Sequence, residues 1–103
     1  LKKEITMLNG MRPIHPGEIL KQEINELGLS ANAFGRALGV PPNRITAILN
    51  ERRSITADTA LRLAQYFGTT PDFWMNLQTA YDIRRTQIAS GEAIKREVQP
   101  RAA

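Results

Sequence analysis

The sequence predicts an all-α bundle of five helices. Three observations lead there. Apolar residues recur at spacings of three and four in five separate stretches. Each stretch opens at a capping residue or a proline, and all but one close at a glycine. No stretch alternates apolar and polar residues as a strand would. With 103 residues, 42% of them apolar and 23% charged, the chain suits one folded domain.

The first helix opens at Pro16, with Glu18 near the positive end of the helix dipole. Ile19, Leu20, Ile24 and Leu27 repeat on one face, and Gly28 supplies a left-handed stop. Ser30 caps the second helix, whose apolar positions are Ala33, Phe34, Ala37 and Leu38, and Gly39 ends it. Pro41 and Pro42 open the third, which turns Ile45, Ile48 and Leu49 inward and runs to Asn50. Thr56 caps the fourth, where Ala57, Ala60, Leu61, Leu63, Ala64 and Phe67 are apolar, and Gly68 closes it. Thr70 caps the fifth, opened by Pro71, with Phe73, Trp74, Leu77, Tyr81 and Ile88 as its stripe.

Outside these helices the pattern fails. Residues 1–14 show no sustained period and are expected to form a flexible arm, in which Met7 and Met11 are each a candidate start. Gly91 breaks the helical pattern, so residues 91–103 read as a flexible tail and 15–90 as the folded domain.

Composition excludes several functions. The chain has no cysteine, which removes thiolate metal sites and thiol nucleophiles, and His15 is its one histidine. No apolar run approaches the ~20 residues of a membrane-spanning helix. The start lacks the apolar core of a secretory signal, so the expected location is cytoplasmic. No phosphate-cradling glycine loop, His–carboxylate pair or metal-spaced cluster is present, so no enzyme, metal or cofactor is expected. His15 precedes Pro16 where a capping or surface role suffices, and Asp58 and Asp72 sit in first helical turns where the dipole accounts for them.

The 14 basic and 10 acidic residues give a formal net charge of +4, unevenly spread. Between positions 15 and 28, Glu18, Glu23 and Glu26 outnumber Lys21. Between 30 and 56, Arg36, Arg44, Arg52 and Arg53 face Glu51 alone. A basic middle suits a polyanionic partner.

That middle contains ANAFGRALGVPPNRITAILN, residues 31–50. Gly35 is small where two helices approach, Gly39 takes a turn conformation that a side chain opposes, and Phe34, Leu38, Val40, Ile45 and Ile48 form an apolar wedge. These offsets match a helix-turn-helix, whose second helix enters the DNA major groove. Asn43, Arg44, Thr46, Ala47 and Asn50 are then the candidate base contacts. Asn43 suits adenine, Arg44 guanine and Thr46 a thymine methyl. Ser30 and Asn32 at the second helix N-terminus, with Arg52 and Arg53 after the third helix, are the candidate phosphate contacts. Duller roles stay open: Ser30 as a cap, Asn43 as a surface turn residue, Arg44 paired with Glu51 or another carboxylate, Arg52 and Arg53 as solvated charge.

The segments HPGEIL at 15–20 and ITADTALRLAQYFGTTPDFWMNLQTAYDI at 55–83, flanking that motif, resemble the HigA/VapI antitoxins. These are Xre-type regulators related in fold to phage Cro and lambda repressors. The resemblance implies a lambda-repressor-like bundle and a homodimer that binds a palindromic operator in double-stranded DNA and represses its own operon. It also implies pairing with a HigB-type toxin, a small RelE-like ribonuclease. Many antitoxins inhibit through a long disordered extension, whereas the arm and tail read here are short, so no residue is assigned to toxin contact.

Two half-sites about one DNA turn apart call for a dimer. Phe73, Trp74, Leu77 and Tyr81 put a large apolar area on one face of the fifth helix and are the candidate dimer interface, as a seam shared with the core, with intramolecular core alone as the competing role. The leading function is a sequence-specific transcriptional repressor and antitoxin. The runner-up is an interaction module that neutralises a ribonuclease toxin with little specific DNA binding.

Overall fold

The computed structural model describes residues 12–102 and contains five helices, with no strand among the described residues. In chain order they are α1 (Pro16–Glu26), α2 (Ala31–Leu38), α3 (Pro42–Leu49), α4 (Ala57–Phe67) and α5 (Pro71–Glu97). Nearly all of the expected arm, residues 1–11, lies outside the described residues.

Local chemistry sets the starts. Ser30 Oγ accepts from the Ala33 amide at 3.1 Å and Thr70 Oγ1 from the Phe73 amide at 3.2 Å, with Thr56 in the same role toward Thr59. Each satisfies a first-turn amide that the helix itself cannot. His15 does so from within the core: its Nδ1 accepts from the Gly17 amide at 2.9 Å. Pro41 holds the corresponding place before α3 with no side-chain cap.

One core joins the helices. Leu20 and Ile24 of α1, Phe34 and Leu38 of α2, Ile45 and Ile48 of α3, Leu63 of α4 and Trp74 and Leu77 of α5 are buried together. An aromatic chain runs through it, with ring centroids 5.9 Å apart for Phe34–Phe67 and 5.7 Å for Phe67–Trp74. Such spacings favour tilted and edge-on ring contacts. Trp74 Nε1 donates to Thr69 Oγ1 at 3.0 Å, so its polar atom is satisfied as the ring is buried.

Two sequence expectations are corrected. Gly91 does not end α5, which continues to Glu97 and has Val98 as its C-terminal cap. An interior glycine costs a helix only about 1 kcal/mol, and Glu92, Ala93, Ile94, Lys95 and Arg96 carry the helix past it. Leu27, Leu61 and Ile88 share helical spacing with core residues yet are exposed. Of the residues expected to serve both the core and a dimer seam, Trp74 and Leu77 are 1% and 6% exposed within the single chain, as the core part of that role requires. Their area is already covered by the protomer's own helices, leaving only Phe73 and Tyr81 of that set half-buried.

Candidate nucleic-acid interface

The α2–turn–α3 unit is a tight helix-turn-helix. Gly39 has φ +71°, the left-handed conformation that a side chain opposes, and lets the chain reverse within two residues of Leu38. A Cβ on Gly35 would stand 3.1 Å from the Val40 carbonyl oxygen and 3.2 Å from Pro42 Cα, so a small residue here lets α2 meet the start of α3 this closely. Gly17 plays the same part from α1. A Cβ there would collide with the Ile48 backbone carbonyl, so α1 lies directly on the α3 backbone.

Helical periodicity then divides α3. Ile45 and Ile48 are fully buried, while Asn43, Thr46 and Asn50 are exposed on the opposite side with Ala47 half-buried among them. Thr46 Oγ1 donates to the Pro42 carbonyl at 3.2 Å, which fixes its rotamer. Four of the five residues expected to contact bases thus form one outward surface. Arg44 stands apart from them: its side chain is 24% exposed and its Nη1 donates to Asp58 Oδ2 at 3.0 Å. The carboxylate partner left open by the sequence is Asp58, not Glu51.

Asp58 holds a second arginine. Arg62 Nε donates to the same Oδ2 at 2.9 Å, and the Arg62 guanidinium holds the Asp58 carboxyl below the usual carboxylate range, with Arg44 adding to the effect. Arg62 Nη1 also donates to the carbonyls of Leu38 at 2.9 Å and Gly39 at 3.3 Å. The last carbonyls of α2 are therefore satisfied by a cation from α4, and the turn is tied to the helix behind it. Apart from the Asp58–Arg62 pair within α4, the contacts of this network join residues 14 to 24 apart in sequence.

The flanking phosphate candidates are exposed. Ser30 accepts from the Ala33 amide and keeps its hydroxyl proton to donate, and Asn32 is exposed in the first turn of α2. Arg52 and Arg53 occupy the turn after α3. That turn closes with Arg52 N–H donating to the Ala47 carbonyl at 2.8 Å and Glu51 N–H to the Ile48 carbonyl at 3.0 Å. Glu51, at φ +61°, stands where glycine is usual in such a helix ending.

Two buried polar side chains position this turn. Gln78 of α5 accepts from the Ile55 amide at 2.8 Å and donates to Asp82 Oδ1 at 3.0 Å. His15 makes a hydrogen bond with the Arg53 backbone and packs its ring edge-on to Tyr81 at 4.9 Å. Burial pushes the His15 imidazole below its ordinary pKa, keeping Nδ1 free to accept from Gly17. The sequence marks Gln78 only as a polar residue inside an apolar stripe, and nothing local pairs it with residue 55.

Arg85 donates to the Tyr81 hydroxyl at 3.2 Å and its guanidinium lies over the Tyr81 ring. Among the described residues, no group of three or more His, Asp or Glu side chains is arranged to hold a metal ion, and no helix is long and apolar enough to cross a membrane.

A helix-turn-helix family model matches residues 20–74. Virulence-associated protein I of Dichelobacter nodosus is 54% identical over 80 residues, which is 77% of this chain and 74% of that protein. Among solved structures, an addiction module antidote protein of the HigA family from Coxiella burnetii superposes with TM-score 0.86 at 61% identity, over 88% of this chain and 100% of that one. The Pseudomonas aeruginosa antitoxin HigA, solved with the higBA promoter, gives TM-score 0.84 at 44% identity, over 88% of this chain and 100% of its own. The chain belongs to the Xre-type helix-turn-helix family that includes the HigA antitoxins and virulence-associated protein I.

Proposed function

We propose that the protein is a sequence-specific DNA-binding repressor, the antitoxin of a HigBA-type module that represses its own operon. The observation that carries this is the polar outer face of α3, where Asn43, Thr46 and Asn50 are exposed, with Ala47 half-buried among them, on a helix whose other face is locked into the core. A relative 44% identical was solved with the higBA promoter, which supports DNA binding by this chain.

In this reading α3 lies in the major groove and Asn43 and Asn50 offer amides to adenine. Ser30, Asn32, Arg52 and Arg53 seat the backbone on either side. The protein acts in the cytoplasm without catalysis, as a homodimer on two half-sites, with a RelE-like ribonuclease as its toxin partner. Because Trp74 and Leu77 are covered within the protomer, the dimer seam falls further along α5. There Ile83 is 54% and Ile94 44% exposed, on one face of the helix at a spacing of eleven residues.

The test is a titration of the protein's own upstream promoter and a scrambled duplex at two salt concentrations. Promoter binding at least ~1000-fold tighter than scrambled supports a specific repressor. Equally weak binding to both, vanishing as salt rises, is counterion-driven contact and overturns the proposal.

A further inference from the structure

The Arg44–Asp58–Arg62 network bears on how this surface discriminates among DNA sequences. Arg44 is a recognition-helix cation, yet it is turned from solvent onto the first turn of α4. Its Nε is out of contact with water and has no hydrogen-bond partner, so the ion pair leaves one of its donors unsatisfied. Asp58 is itself exposed, and Arg62 anchors it from the following turn of α4. The carboxylate is thus fixed in place whether or not Arg44 is present, while Arg44 has a reason to leave if a better acceptor is offered.

We propose that Asp58 is a positioning residue for selectivity, holding Arg44 back from DNA until a guanine edge or well-placed phosphate in the correct site displaces it. A cation already neutralised by a carboxylate releases little counterion on meeting DNA at random. Asp58 therefore lowers sequence-independent affinity more than operator affinity. This rests on the DNA-binding reading above, and the test separates the two.

The experiment is an anisotropy titration of the full chain against the upstream promoter duplex and a scrambled duplex over a salt series. It compares wild type, Asp58→Asn, Arg44→Ala and the double variant, with thermal melts of each. Asp58→Asn retains an oxygen that can accept from Arg62. It should tighten scrambled-DNA binding and steepen its log–log salt slope by about 0.9, the value of one added phosphate contact. The promoter-to-scrambled ratio should fall. In the Arg44→Ala background the same change should do neither, which excludes a simple effect of net charge. An unchanged slope, or equal tightening without Arg44, overturns the proposal.

Arg44→Ala alone reads independently of how Asp58→Asn folds. It should weaken promoter binding while leaving the scrambled-DNA slope as in wild type, and a slope shallower by about 0.9 on scrambled DNA refutes the restraint. If wild type shows no promoter preference, the repressor reading fails, while the slopes still decide whether Asp58 restrains Arg44.

Discussion

Replacing Gly17 with alanine should destabilise the fold although alanine is the better helix former. Propensity alone favours alanine by up to about 1 kcal/mol. Here the added Cβ meets backbone on α3: it would collide with the Ile48 carbonyl oxygen and stand 2.9 Å from the carbonyl carbon. No rotamer relieves a backbone clash, so α1 and α3 must separate. Overpacking costs typically about 1–3 kcal/mol, and a contact with backbone belongs at the upper end. The net loss is roughly 2 kcal/mol, or a melting temperature lower by roughly 10–15 °C for a domain of this size. Gly35→Ala, with its nearest backbone contact at 3.1 Å, should lose less. Gly91→Ala meets nothing closer than 3.9 Å and should gain up to about 1 kcal/mol. Urea unfolding of the three variants measures this order directly, provided the m-value is unchanged. If Gly17→Ala were as stable as wild type and bound promoter DNA equally well, α1 would not rest on the recognition-helix backbone as described.

Three further outcomes can be checked. Trp74→Ala should cost about 3–5 kcal/mol, since it removes a fully buried ring packed against Phe67 in the core, and calorimetry would show a near-native melting point if that packing were wrong. His15 has a folded pKa below its unfolded value near 6.5, so the unfolded state binds its proton first. Its contribution is complete above that pH and is lost as pH falls from there toward the folded value. His15→Gln should flatten this part of the stability–pH curve, and an unchanged acid limb would count against the buried cap. Asn43→Ala should weaken promoter binding without altering the thermal melt, whereas equal losses on promoter and scrambled DNA would deny it a base-reading role.

What could be read from the sequence was what is encoded locally. Ser30, Thr56 and Thr70 announce helix starts because a cap needs only a side-chain oxygen and an amide a few residues on. Gly39 announces the turn because few residues tolerate its conformation. The outward face of α3 follows from the burial of Ile45 and Ile48 and helical spacing. The Arg44–Asp58–Arg62 network was invisible, because its members come together only when α4 packs behind α2 and α3. The positioning roles of Gln78 and Gly17 depend in the same way on neighbours distant in sequence. The end of α5 was misplaced because an interior glycine is a weak obstacle, and the exposed Leu61 and Ile88 show that periodicity marks a face without saying what covers it.

The central claim is that α3 enters the major groove of the protein's own promoter. Methylation protection tests it most directly, because dimethyl sulfate attacks guanine in the major groove and adenine in the minor. The account predicts protection of major-groove guanine nitrogens in two half-sites about one helical turn, roughly 10 base pairs, apart. Protection confined to minor-groove adenines, or none above that on scrambled DNA, would contradict it.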